Sequence, residues 1–196
     1  LFLKDRKQVV QLSILSSIVT FILTVGLFII YDKDKGGIQF IDHLNWIDSV
    51  NIKSSYLLGL DGLSAPLVLL TGLLGMVACM SSWRISHRYK EYFIWLLLLE
   101  TSVLGVFTSL DLLLFFIFFE FELIPMYMLI GIWGSGRKEY SATKFVIFTL
   151  AGGAFMLIGI LALFASDSVS TLAMVSIPEI GTIKGNVKPI VLLTSN

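Results

Sequence analysis

The residues of this sequence best suited to chemistry are four charged side chains that lie inside long apolar runs. They are Glu100, Glu120, Glu122 and Lys144. An unpaired charge at the centre of a bilayer costs on the order of several kcal/mol, so such residues usually face a protein interior and mark a path for ions or protons. These residue types therefore indicate proton binding and release. The alternative is an acid that stays protonated and only packs and hydrogen-bonds.

The run that carries Glu120 and Glu122 extends from Leu112 to Trp133 and reads LLLFFIFFEFELIPMYMLIGIW. A helix of this length spans the ~30 Å hydrocarbon core at 1.5 Å per residue. Glu122 lies about 200° around this helix from Glu120, so the two cannot serve the same cavity. The residues on the same face as Glu120 are Leu113, Ile117, Ile124 and Tyr127.

Tyr127 and Pro125 are the other polar or irregular features near Glu120. Tyr127 either continues a proton path or anchors the helix at the interface. Pro125 removes a backbone donor and frees the carbonyl of Phe121 next to Glu120. Water or a hydrogen-bonding side chain is therefore expected there.

The composition identifies the class of protein to which these residues belong. The chain is 56 % hydrophobic and 14 % charged, against about 25 % charged residues in ordinary soluble domains. We therefore predict an all-α membrane protein, a polytopic transmembrane helix bundle of about five spans. The predicted spans are 9–30, 63–80, 92–110, 112–133 and 141–164, with an outer loop at 31–60 and a polar tail at 166–196.

Three local features refine this arrangement. Partial alternation around Gly37–Ile41 and Ile52–Leu58 predicts a short hairpin on the membrane surface. Asp61 and Asp111 directly precede helical runs and are predicted N-caps. Gly152, together with its neighbour Gly153, predicts a close helix–helix contact of the small-residue type.

Glu100 and Glu120 are each ten residues from Leu110, which we take as the turn between adjacent antiparallel spans. Both carboxyls should then lie about 15 Å deep. We hypothesise that they share a site, titrate as a unit and hold one proton at neutral pH. Lys144 is expected one turn inside the fifth span, where it either extends to the interface or acts as an ion-pair partner or proton relay.

Several functions find no support in the sequence. A net charge of zero gives no indication of nucleic acid binding. Cys79 is the single cysteine, so neither a disulfide framework nor a thiolate metal site is available. His43 and His87 stand far apart in polar segments and are interpreted as solvated. Without CxxC, GxGxxG or paired histidines, we expect no cofactor in this chain and no handling of electrons by it.

The basic residues predict the orientation of the bundle. Eight of them, including all four arginines, fall on the side of the N-terminus, against five on the other side. We therefore place the N-terminal end on the cytoplasmic or matrix side, in a bacterial cytoplasmic membrane or a mitochondrial inner membrane.

Three segments resemble a known family. GLDGLS, LLLFFIFFEFELIPMYMLIGIWG and ATKFVIFTLAGGAFML are similar to the antiporter-like membrane subunits of respiratory complex I, of the chain M or subunit 4 family. The resemblance covers roughly residues 55–165. It implies that the chain translocates protons while other subunits pass electrons from NADH to quinone. It also implies other membrane subunits of complex I and the lipid bilayer as partners, with no direct contact to NADH or quinone.

The resemblance also assigns residues. Glu120 matches the family's essential mid-membrane glutamate, and Lys144 matches the lysine of the ATKF block, whereas Glu122 is present in some relatives only. The five spans would be the family's second to sixth, so we expect part of a longer chain that lacks the lysine partner of the glutamate. A change in the charge of that lysine would load or release a proton on Glu120. The alternative function is a subunit of a multi-subunit cation/proton antiporter or of a membrane-bound hydrogenase, which share these motifs.

Overall fold

The computed structural model describes residues 5–32, 37–48 and 53–165. The five helices are each long and apolar enough to cross a membrane, which agrees with the predicted bundle. A single 3-10 turn at Ser82–Arg84 follows the second helix. The elements in chain order are α1 (Arg6–Ile30), β1 (Gln39–Asp48), β2 (Lys53–Leu60), α2 (Ser64–Ser81), α3 (Tyr89–Thr108), α4 (Leu112–Trp133) and α5 (Lys138–Ala165).

The predicted helix bounds are close to the observed ones. The bounds of α4 agree with the prediction at both ends. The other ends differ by up to three residues, and α5 begins at Lys138 instead of Ser141. That difference places Lys144 six residues, or about 9 Å, inside its helix instead of one turn. The predicted tail at 166–196 lies outside the described residues.

Consecutive helices pack against one another, and glycines let them approach closely. A Cβ added at Gly72 of α2 would lie 2.5 Å from Oγ1 of Thr24 in α1. A Cβ added at Gly105 of α3 would lie 2.5 Å from Cε1 of Phe118 in α4. Hydrophobic burial does not drive helices together in lipid, so close packing at small residues is a main source of association.

The segment between α1 and α2 is a hairpin, as predicted, but with longer strands. β1 and β2 pair antiparallel, with register shifts between Gln39 and Asp42 and between Asn45 and Ile47. β2 packs on the turn between α3 and α4, and its place on the membrane surface stays a prediction. The N–H of Leu110 donates to the carbonyl of Leu57 at 2.9 Å, and both side chains are buried.

Both predicted aspartate caps are confirmed. Oδ1 of Asp111 accepts hydrogen bonds from the N–H groups of Leu113 at 2.9 Å and Leu114 at 3.2 Å. Oδ1 of Asp61 accepts from Leu63 at 3.1 Å and Ser64 at 2.6 Å. Each carboxylate therefore satisfies N–H groups that have no partner inside the helix. Asp111 is fully buried, whereas Asp61 is partly exposed.

We expect Asp111→Ala to destabilise the protein by about 1–2 kcal/mol, because it removes a cap and leaves buried N–H groups unpaired. Asp111→Asn keeps an acceptor and should restore most of that loss. The measurement is thermal unfolding of the detergent-solubilised assembly, with Asp61→Ala as the control at the more exposed cap. A larger loss from Asp61→Ala than from Asp111→Ala would contradict this interpretation.

Candidate functional site

Glu120 is the acidic residue of α4 that lies at the contact with α5. It is eight residues from Leu112, the first residue of the helix, which corresponds to a depth of about 12 Å. Its carboxyl rests on Gly153 of α5, where an added Cβ would overlap Oε1 and lie 2.9 Å from Cδ. Oε1 is buried and makes no hydrogen bond with a described residue. Because an unsatisfied buried carboxylate is costly, this group needs a proton or a donor from outside the described residues.

Glu100 occupies an equivalent position in α3. It is eight residues from Thr108, the last residue of the helix, and its side chain is 7 % exposed. Its carboxyl rests on Gly75 of α2, where an added Cβ would lie 2.5 Å from Oε1 and 2.7 Å from Oε2. Oε1 of Glu100 is also buried without a hydrogen-bond partner among the described residues.

The predicted common depth of Glu100 and Glu120 agrees with their places in the helices, but the hypothesis of a shared site is wrong. Glu100 faces α2 and Glu120 faces α5. Counting residues back from a turn fixes depth, whereas the side that a residue presents depends on the rotation of each helix. The two carboxyls form separate sites at one level.

Lys144 does not meet Glu120 in the described bundle. It is exposed, and its Nζ lies 6.0 Å from the ring centroids of Tyr140 and Phe148. Lys144 is nine residues from Gly153, which places it about 180° around α5 from the face that contacts Glu120. No acidic side chain among the described residues forms an ion pair with Lys144.

The other residues singled out in the sequence differ in their surroundings. Gly153 makes the predicted close contact, whereas a Cβ added at Gly152 would meet no described residue of another helix within 4 Å. Tyr127 is 41 % exposed, so its place in a proton path stays a prediction. Glu122 is partly buried, and its side chain makes no hydrogen bond with another described residue. Pro125 is buried within a helix that continues through it.

Sequence reasoning missed the glycine on which Glu100 rests. Gly75 lies in α2 between Gly72 and Cys79, which are both buried. One signal could have found this face, because Gly72, Gly75 and Cys79 recur at helical spacing in α2. Such a stripe of small residues is typical of a close helix contact.

Five membrane-length helices with carboxyls held inside their contacts define a polytopic α-helical membrane protein with ionisable groups in its interior. Residues 109–193 match the family model described as NADH:quinone oxidoreductase/Mrp antiporter, TM. Over these residues the chain is similar to antiporter-like membrane subunits. The matched range continues past Ala165, farther than the motifs that carried the resemblance.

Named relatives agree with this family. The chain is 40 % identical over 169 residues to NAD(P)H-quinone oxidoreductase chain 4 1 of Synechococcus elongatus, which covers 85 % of this chain and 31 % of the relative. It is 36 % identical over 170 residues to NADH-quinone oxidoreductase subunit M of Rickettsia prowazekii, which covers 84 % and 34 %. The chain therefore spans about a third of the length of these curated relatives.

A solved structure shows the same arrangement of helices. A chain of respiratory complex I from Thermus thermophilus with bound NADH superposes with a TM-score of 0.74 at 28 % identity. The match covers 83 % of this chain and 33 % of that chain. The predicted fold class, a helix bundle from a larger antiporter-like fold, is confirmed.

The contact between Glu120 and Gly153 predicts a sharp difference between neighbouring glycines. Gly153→Ala should destabilise the protein by about 1–3 kcal/mol, because the new methyl group overlaps the carboxyl and displaces it from the contact between α4 and α5. Gly152→Ala is the matched control and should be neutral or slightly stabilising, since its Cβ enters open space and alanine favours helix. Thermal unfolding of the solubilised assembly measures both, and equal effects would contradict the assigned contact.

The separation of the two carboxyls predicts independent effects. The fold-reductions in proton uptake caused by Glu100→Gln and by Glu120→Asp should multiply in the double variant, because the residues share no partner. The measurement is the initial rate of proton uptake by vesicles that hold the complete assembly. If the double variant takes up protons as fast as the more impaired single variant, the result would support a shared site.

Proposed function

We propose that this chain is part of a proton-translocating membrane subunit of NADH:quinone oxidoreductase, respiratory complex I. Its role would be to couple electron transfer elsewhere in the complex to proton movement through buried charged residues. The observation that carries the proposal is Glu120, a carboxyl near the middle of α4 with a buried oxygen that has no described partner. The assignment to this complex is supported by the names of the relatives, such as NADH-quinone oxidoreductase subunit M.

The surroundings of Glu120 suggest how the proton is held and released. While the carboxyl faces the apolar contact between α4 and α5, the neutral form is favoured because charge is costly there. A cation or water that reaches the carboxyl favours the ionised form, so the proton leaves. Gly153 brings the backbone of α5 against the carboxyl and limits its freedom. The proton is thus retained or released according to the charge nearby.

Lys144 and Glu100 are the further charged groups of the proposed path. Lys144 lies on the face of α5 turned away from Glu120, where Phe148 is 69 % exposed. It would act on the path through groups that cover that face in the full assembly. Glu100 provides a second carboxyl at the same level, on the contact between α3 and α2.

The proposed partners are other membrane subunits of complex I and the lipid bilayer. α1 and α5 present broad apolar faces outside the bundle, with Ile29 73 % and Phe155 74 % exposed. Such faces need lipid or further helices to cover them. We propose no direct contact with NADH or quinone. We also propose that the chain has no cofactor or redox centre of its own, because its sequence lacks the motifs that hold one.

The proposed orientation places the basic end of the bundle on the cytoplasmic or matrix side. The guanidinium of Arg6 donates to the carbonyls of Trp83 at 3.0 Å and Ile85 at 3.2 Å. Nε1 of Trp133 donates to the carbonyl of His87 at 2.8 Å. These bonds gather the start of α1, the turn before α3 and the end of α4 at one end, together with the arginines of those segments.

The alternative is a subunit of a multi-subunit cation/proton antiporter, which the family description also names, or of a membrane-bound hydrogenase. A native gel of solubilised source membranes, stained for NADH dehydrogenase activity and probed for this chain, separates them. We expect the chain in a large NADH-oxidising band. A smaller band without NADH activity would favour the alternative, and sodium dependence would then be tested.

The proton role predicts a selective loss in Glu120→Gln. NADH-driven acidification of inverted vesicles should fall at least about tenfold, because the amide cannot carry the proton, while the amount of assembled complex stays unchanged. Glu122→Gln is the matched control two residues away, and we expect it to retain most of the acidification. Acidification by Glu120→Gln at the unchanged rate, with the complex assembled, would overturn the proposed role.

A further inference from the structure

A cleft between α2 and α3 leads to Glu100. It has a volume of about 220 Å³ and opens to the outside of the bundle. Its walls are mainly aliphatic, from Leu74 and Ala78 on α2 and from Leu96, Leu99 and Val103 on α3. Glu100 lines this cleft, and its side chain is only 7 % exposed. Its Oε1 has no hydrogen-bond partner among the described residues.

The polar atoms of this cleft point to a donor as the occupant. The hydroxyl of Thr71 lines the cleft but donates its hydrogen to the carbonyl of Leu67 at 2.8 Å. Its oxygen and the Glu100 carboxylate therefore offer acceptors. Water alone fits poorly, since an ordered water needs two to four polar partners and the walls supply few. An ammonium group has three donors and no acceptor.

The aliphatic walls and the carboxylate of the cleft fit a lysine side chain. A lysine stem of four methylenes packs against aliphatic walls while its ammonium reaches a carboxylate. We propose that the Glu100 cleft holds the side chain of a lysine from a membrane-spanning segment of the assembly outside the described residues. The positive charge would compensate Glu100, whose burial is costly when it is ionised and unpaired.

Neither Lys144 nor Lys90 fills this role. Lys144 lies on the far face of α5, and α5 packs on α4. Lys90 is on α3 itself, ten residues or about 15 Å along the helix from Glu100. The chain spans 31 % and 34 % of two curated relatives, so proteins of this family include further segments that can supply a lysine.

The proposal is tested by cross-linking in source membranes that hold the complete assembly. Dicyclohexylcarbodiimide adds to a protonated carboxyl and forms an O-acylisourea. A neighbouring amine displaces dicyclohexylurea, and an amide bond joins the two side chains with net loss of one water. We expect peptide mass spectrometry to find Glu100 joined to a lysine, at least tenfold more often than Glu122. Glu100→Gln should lose this cross-link.

Modification of Glu100 as an N-acylurea without any cross-link would overturn the proposal, since it would show an accessible carboxyl without an amine beside it. If Glu100 does not react at all, the Tm of the assembly tests the proposal instead. Glu100→Leu leaves a seated lysine unpaired, so the Tm of the assembly should fall by about 5 °C or more. An unchanged or higher Tm would mean that lipid or an apolar segment covers the cleft.

The inference does not depend on the proposed function. Cross-linking reports which group lies beside Glu100, whether or not the assembly oxidises NADH or moves protons. A Glu100–lysine cross-link in an assembly without NADH activity would support the cleft and overturn the proposed function. NADH-driven proton movement without the cross-link would support the proposed function and overturn the proposal of a lysine in the cleft.

Discussion

The close approach of helix backbones at glycine is the interaction on which this bundle depends. Thr24 packs on Gly72, and Phe118 packs on Gly105. The carboxyls of Glu100 and Glu120 pack on two further glycines in the same way. In a bilayer, apolar surface alone does not distinguish the inside of a bundle from lipid. The glycines therefore determine where neighbouring helices meet, and the two carboxyls lie at those meeting points.

This arrangement gives the acids a defined place at a modest cost in packing. Each carboxyl rests on a glycine of a neighbouring helix. Both Glu100 and Glu120 have one oxygen that is buried and unpaired within the described residues. A site of this kind responds to a charge brought near it, because the low dielectric strengthens each electrostatic interaction. That property suits the proposed exchange of protons.

The ends of the bundle are fixed by different means. At the basic end, carbonyl groups of the segment before α3 accept hydrogen bonds from Arg6 and Trp133. At the other end, β2 and the buried cap Asp111 hold the tight turn between α3 and α4. These contacts set the relative height of the helices, and so the common depth of the two carboxyls.

The sequence by itself determined the class of protein, five spans, both aspartate caps and the level of each buried acid. Those features follow from apolar length, local capping and rise per residue, which are properties of one segment at a time. The tertiary structure alone decided that Glu100 faces α2, that Glu120 faces α5 and that Lys144 points away from both. The physical reason is that the rotation of a helix about its axis is set by its neighbours. α4 is almost entirely apolar and has its two glutamates on opposite sides, so its own sequence does not fix that rotation.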